Sequence, residues 1–142
     1  MTVAVAESCT GGLLGHRLTN VAGASGYFLG GVIAYAYDAK ERLLGVHHNT
    51  LYTHGAVSEP TVREMARGVR AALGADLGVA VTGIAGPGGG LPGKPVGLTW
   101  IGLSARDIEL ARQFVWDGDR ISNKERSAEA ALRLILDYLQ TA

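Results

Sequence analysis

Residues 3–12 read VAVAESCTGG: the apolar run Val3-Ala4-Val5-Ala6 meets Glu7-Ser8-Cys9-Thr10, with Gly11 and Gly12 behind. A short apolar run that stops at turn-forming residues reads as a buried strand. Beyond it, Gly12 to Asn20 (GLLGHRLTN) carries apolar residues at helical spacing, and Thr10 or Ser8 is placed to cap its start. Strand, tight turn and helix in direct succession is the unit from which α/β folds are assembled. It also leaves a serine, a cysteine and a threonine together at the start of a helix.

The pattern continues outward. Residues 21–26 form a loop, and YFLGGVIAYA (27–36) is strand-like but broken by Gly30-Gly31, the signal for a bulge or a close backbone approach. DAKERLLGV (38–46) is a short helix stopped at Gly45, and HHNTLYTHGAV (47–57) reads as a loop. Ser58 is an N-cap for a helix over 59–74, which tolerates Pro60 in its first turn and has Val62, Met65, Ala66, Val69 and Leu73 on one face. LGVAVTG (77–83) is a second buried strand, leading into the glycine-proline loop IAGPGGGLPGKP. Residues 96–104 and 109–115 read as a strand hairpin. The last helix starts near Ser122, where Ser122 to Glu125 fits a capping box, and its apolar face is Ala131, Leu134, Ile135 and Tyr138. One α/β domain over residues 1–142 follows, with helices on both faces of a mixed sheet.

Composition narrows the partners. Thirteen basic and thirteen acidic side chains cancel, and there is no basic-aromatic stripe, so nucleic acid is not an expected partner. The longest uncharged run, Leu18 to Tyr37, is interrupted by polar residues and glycines, so no membrane span is expected. A single cysteine and a strand-like N-terminus without a basic leader point to a cytoplasmic protein.

Three of the glycine clusters, at 8–12, 30–37 and 83–94, fall where strands lead into loops, the usual ligand end of an α/β sheet. None has a phosphate-loop or dinucleotide fingerprint in its proper context. The helix amides behind Ser8 offer a place for an oxyanion, but a serine also needs a base. His16, His47, His48 and His54 read as solvated surface residues, and no metal site is expected. The lysines number three, Lys40, Lys94 and Lys124; one of them serves as base only if burial pulls its pKa well down. Residue chemistry alone does not choose among them.

AESCTGG, GASGYFLGGVIAYAYDAKERLLGV, HGAVSEP, TGIAGPGGG with KPVG, and GDR, taken in order, resemble the CinA C-terminal domain family over nearly the whole chain. The resemblance implies a three-layer α/β/α sandwich with a mixed sheet. It also implies an amidohydrolase that converts nicotinamide mononucleotide and water to nicotinate mononucleotide and ammonia, without a cofactor and as a homodimer. The motifs assign catalysis to Ser8, Lys40 and Tyr35, with Ser8 as nucleophile, Lys40 as base and Cys9 as packing. The amides of Thr10 and Gly11 are then expected to hold the oxyanion. The surrounding substrate site is expected to draw on Gly12, Gly30, Gly31, Tyr37, Ser58, Thr82, Gly83, Lys94, Arg120 and Lys124. Tyr35 or Tyr37 would stack on the cationic ring, and Arg120, Lys124 or loop amides would take the phosphate. The chain departs from the family pattern in starting at the first strand, without the preceding helix of many relatives; the core face which that helix would cover is then expected to be covered by a dimer partner or left weak. It departs again in having Lys124 where an arginine is usual, which loses a bidentate fork, and in having Tyr37 where a small polar residue is usual.

Overall fold

Five strands form one mixed sheet in the computed structural model, which describes residues 1–141. They are β1 (Val3–Glu7), β2 (Phe28–Ile33), β3 (Leu77–Gly83), β4 (Leu98–Ser104) and β5 (Glu109–Val115), in the spatial order β2-β1-β3-β4-β5. β1 pairs in parallel with β2 and β3, whereas β3–β4 and β4–β5 are antiparallel. β1 is buried along its whole length, as a central strand covered on both faces must be.

The alternation of β1 divides the core. Val3 and Val5 face a cluster with Leu14 of α1 (Leu13–Thr19) and Ala128, Ala131, Leu134 and Ile135 of α5 (Arg120–Thr141). Ala4 and Ala6 face the opposite cluster, with Leu44 of α2 (Tyr37–Leu44), Leu51 of α3 (His48–His54), and Val62, Met65 and Val69 of α4 (Glu59–Leu73). This is the expected α/β/α sandwich. The small residues on the α4 side have a packing reason: a Cβ on Gly78 of β3 would stand 2.7 Å from Arg70 Cβ, so only glycine lets α4 lie this close.

Local chemistry accounts for most boundaries. Ser58 Oγ accepts from Thr61 N at the start of α4, and Gly45 and Gly74 end α2 and α4 in the left-handed region at φ 68° and 63°. The double glycine of β2 does both things its sequence allows. Val3 pairs with Phe28 but Ala4 with Gly30, so Leu29 is bulged out, and a Cβ on Gly31 would lie 2.6 Å from Val5 Cγ2.

Four expectations need correction. Residues 48–54, read as loop, form α3, because burial of Leu51 and bonds from His47 N and Thr50 Oγ1 to the Glu64 carboxylate hold a turn of polar sequence in helical form. The strand of 27–36 ends at Ile33, since only Ala34 N continues the ladder, onto Glu7 O, before the chain turns into α2. α5 begins at Arg120 and not near Ser122; Asp119 Oδ1 accepts from Ser122 N, so the aspartate is the cap. Leu73, placed on the buried face of α4, is exposed at the helix end. No helix among the described residues is long and apolar enough to cross a membrane.

Candidate active site

The three parallel strands end at one edge of the sheet, with Glu7 in register with Ile33 on one side and Val81 on the other. Ser8 is the first residue beyond β1. Its amide donates to Val81 O (3.0 Å) and its carbonyl accepts from Gly11 N (3.1 Å), which fixes a tight turn at the carboxyl end of the central strand.

Lys40, in α2, reaches this turn from the neighbouring crossover. It is 1% exposed, and its Nζ stands 2.9 Å from Ser8 Oγ, 2.8 Å from Ala34 O and 2.9 Å from Tyr35 O. All three partners are uncharged. Burial away from water therefore pulls the lysine pKa down from 10.5 to about 8, with the nearby Cys9 pushing weakly the other way. The geometry also dictates what the neutral amine does. It has two N–H groups and one lone pair, and carbonyls only accept. Ala34 O and Tyr35 O take the two N–H groups, so the lone pair is left facing the Ser8 hydroxyl. A serine hydroxyl can then donate to a lysine nitrogen, the arrangement an activated nucleophile requires.

A cavity of about 250 Å³ opens over this pair. Its walls include Cys9, Tyr35, Ala56, Thr82, Gly83, Arg120 and the glycine loop at Gly86, Gly88 and Gly89. Thr82 Oγ1 donates to Ala56 O (2.9 Å), which joins β3 to the loop ahead of α4. Arg120, at the first turn of α5, donates to Gly86 O (2.8 Å) and stands 3.5 Å from the Tyr35 hydroxyl. The Tyr35 ring is 63% exposed at the rim. Cys9 is buried, and burial pushes its thiol up to about 12, so it stays protonated and unreactive.

The sequence model of the CinA C-terminal domain matches residues 1–139. The chain belongs to the CinA C-terminal domain family. It is 57% identical to a CinA-like protein of Chlorobaculum tepidum over 99% of its length and 54% identical to one of Salinibacter ruber over 92%. It spans about a third of the length of these relatives, 34% and 32%. Among solved structures, it superposes with a TM-score of 0.94 and 42% identity on a competence/damage-inducible protein of Agrobacterium tumefaciens, covering 96% of this chain and 84% of that one. A competence damage-inducible protein of Klebsiella pneumoniae gives 0.94 at 35% identity, covering 98% and 86%.

Of the residues that the family motifs nominate, Ser8, Lys40, Tyr35, Thr82, Gly83 and Arg120 meet around one cavity. Others are placed elsewhere. Ser58 Oγ is committed to Thr61 and to Gly55 O as the α4 cap. Gly30 and Gly31 form the β2 bulge against β1. The Tyr37 hydroxyl accepts from Ala56 N behind the cavity wall, and its ring meets Tyr52 edge-on at 5.2 Å. Lys94 Nζ donates to His54 O at the end of α3. Lys124 lines a separate recess with Leu13, Ile121 and Glu125.

The expected oxyanion donors also change. Gly11 N is spent on Ser8 O. Gly12 N donates to Glu7 Oε1 (3.2 Å), Leu14 N to the same oxygen (2.8 Å), and Gly15 N to Glu7 Oε2 (3.0 Å). Among the described residues, the turn amides with no acceptor outside their own residue are those of Cys9 and Thr10. Sequence reading passed over Glu7, although a carboxylate ending a fully apolar strand was a visible anomaly.

Proposed function

We propose that the chain is an amidohydrolase that deamidates nicotinamide mononucleotide through a Ser8–Lys40 pair. The observation that carries this reading is the buried Lys40 amine, 2.9 Å from Ser8 Oγ and aimed at it by two carbonyls. Neutral Lys40 takes the Ser8 proton as Oγ attacks the carboxamide carbon. The tetrahedral oxyanion turns to the Cys9 and Thr10 amides, and each such donor is commonly worth about 3 kcal/mol in the transition state. Lys40 returns the proton to the departing nitrogen, which leaves as ammonia. Water, deprotonated by the same amine, then hydrolyses the nicotinyl-serine ester and frees nicotinate mononucleotide.

The cavity of about 250 Å³ lies below the roughly 300–1,000 Å³ of pockets that enclose a drug-sized ligand. It suits the pyridine ring with the ribose at its mouth, where the exposed Tyr35 ring can face the cationic pyridinium. The phosphate then falls at the rim. There Arg120 has two of its five N–H donors engaged and the rest free for oxygens.

Incubation with nicotinamide mononucleotide, with ammonia measured for wild type and Ser8→Ala, tests the reading. Wild type is expected to release ammonia and to show a nicotinyl-enzyme adduct by intact mass when quenched early; Ser8→Ala is expected to do neither. Undiminished turnover in Ser8→Ala removes the serine from the mechanism. A wild type that binds the nucleotide without turnover marks a catalytically silent accessory domain instead.

A further inference from the structure

Glu7 is a buried carboxylate that the chemistry above does not use. It is 2% exposed, and the cations of the described residues leave it alone, since none stands within ion-pair distance. A carboxylate taken out of water in this way is costly unless donors surround it. Here they do: Thr10 Oγ1 at 2.6 Å, Gly12 N at 3.2 Å and Leu14 N at 2.8 Å on one oxygen, and Gly15 N at 3.0 Å on the other.

The α1 helix has no side-chain cap of the ordinary kind; its N-cap is Gly12, in the left-handed region at φ 112°. The carboxylate replaces that cap, and it does so from the strand before the turn. A serine or threonine cap would satisfy one amide, whereas Glu7 gathers three amides and a hydroxyl. The main chain of the same residue works on the other side, where Glu7 O accepts Ala34 N at 2.9 Å. Ala34 is in turn one of the two carbonyls that aim Lys40 Nζ.

We infer that Glu7 is the positioning residue of this site: its carboxylate locks the turn carrying Ser8 while its carbonyl aligns the segment that orients Lys40. The inference rests on the proposed serine mechanism for what the aligned pair does. By occupying the Gly12, Leu14 and Gly15 amides, the carboxylate also leaves the Cys9 and Thr10 amides as the open donors beside the nucleophile.

Two variants of the full chain test it, with two readouts. Glu7→Gln keeps the length but replaces one acceptor oxygen by an NH₂ group, which faces amides that also donate. Glu7→Ala removes the acceptor altogether. The first readout is kcat and KM for ammonia release. The second is the rate at which phenylmethanesulfonyl fluoride labels Ser8, seen by intact mass as the Oγ–S bond forms, fluoride leaves and the proton passes to Lys40. A misplacement of about 1 Å costs on the order of 100-fold. Glu7→Gln, folded by thermal melt at the assay temperature, is therefore expected to lose about that much kcat with KM moved less than about threefold. Labelling slows in parallel, and formate added to Glu7→Ala refills the clamp and restores part of both rates.

Wild-type kcat and labelling in a folded Glu7→Gln overturn the inference, as does a loss that only tracks the unfolded fraction. If neither Glu7 variant folds, Thr10→Val removes the 2.6 Å bond alone, and unchanged labelling there overturns it equally. A wild type labelled at Ser8 that leaves nicotinamide mononucleotide intact refutes the substrate and leaves the Glu7 comparison standing on the labelling rates.

Discussion

Replacing Lys40 by methionine separates the cost of burying an amine from the work it does. The lysine pKa falls from 10.5 to about 8 on folding, so between those values the unfolded chain binds more protons than the folded one. Stability therefore rises with pH through that window. Below pH 8 both states are protonated and the full penalty applies, roughly 3 kcal/mol for a shift of about 2.5 units. By pH 10 most of the penalty is gone, which makes the change between pH 7 and pH 10 about 2.5 kcal/mol. Lys40→Met has no such term, but it leaves Ala34 O and Tyr35 O without their donor, at about 1–3 kcal/mol each. At pH 7 the two effects largely offset, and the variant is expected to be close to wild type or modestly weaker. At pH 10 it should fall behind by a further ~2.5 kcal/mol. Urea unfolding of both proteins at the two pH values measures this, and the difference between them cancels every other titrating group. A gap that stays constant within about 0.5 kcal/mol shows that Lys40 keeps an ordinary pKa, and the argument for a neutral base then fails.

The same lysine predicts that kcat/KM for ammonia release climbs on one limb with an apparent pKa near 8, roughly tenfold from pH 7 to 9; a flat profile over that range contradicts it. Arg120→Ala should raise KM for the mononucleotide while leaving the unphosphorylated riboside nearly unaffected, and equal losses on both substrates would take Arg120 off the phosphate. Gly31→Ala, whose Cβ would meet Val5 Cγ2 at 2.6 Å and Val5 O at 2.8 Å, should cost about 1–3 kcal/mol in urea unfolding. Ser58→Ala removes the α4 cap and should cost about 1–2 kcal/mol by the same measurement, with no change in KM because Ser58 faces its helix.

What could be read from the residues was whatever depended on near neighbours. Ser58 with Pro60, the glycines that end α2 and α4, and the period of α4 each depend on a few adjacent residues, and those elements stand where they were expected. α3 has polar sequence and is held by Glu64, from the helix after it, and by the socket around Leu51. Asp119 and Ser122 are both fit to cap, three residues apart, and only the path out of β5 decides between them. The pairing of Ser8 with Lys40, 32 residues apart, entered through family motifs and not through local chemistry. The motifs also nominated Ser58, Lys94 and Lys124, which do not line the cavity: Ser58 caps α4, Lys94 holds His54 O, and Lys124 lines the recess beside Leu13. Glu7 escaped notice because a strand pattern accounts for which face a residue occupies and not for donors that a later helix brings to it.

The last two strands have a consequence for what can be altered. After β3 the chain reverses twice, so β4 leaves the catalytic edge, β5 returns to it, and α5 opens with Arg120 back at the cavity that Ser8 also lines. A single reversal would have delivered that arginine to the far end of the sheet. The roof between β3 and β4 is consequently a loop spanning residues 84–97 with no helix of its own, held at Gly86 by Arg120 and at Ala85 by Asn123. Lengthening or shortening it changes neither the strand count nor the parity that brings Arg120 home. Engineered changes of substrate size therefore belong in this loop, between its ties at Ala85 and Gly86 and that of Lys94 to His54 O.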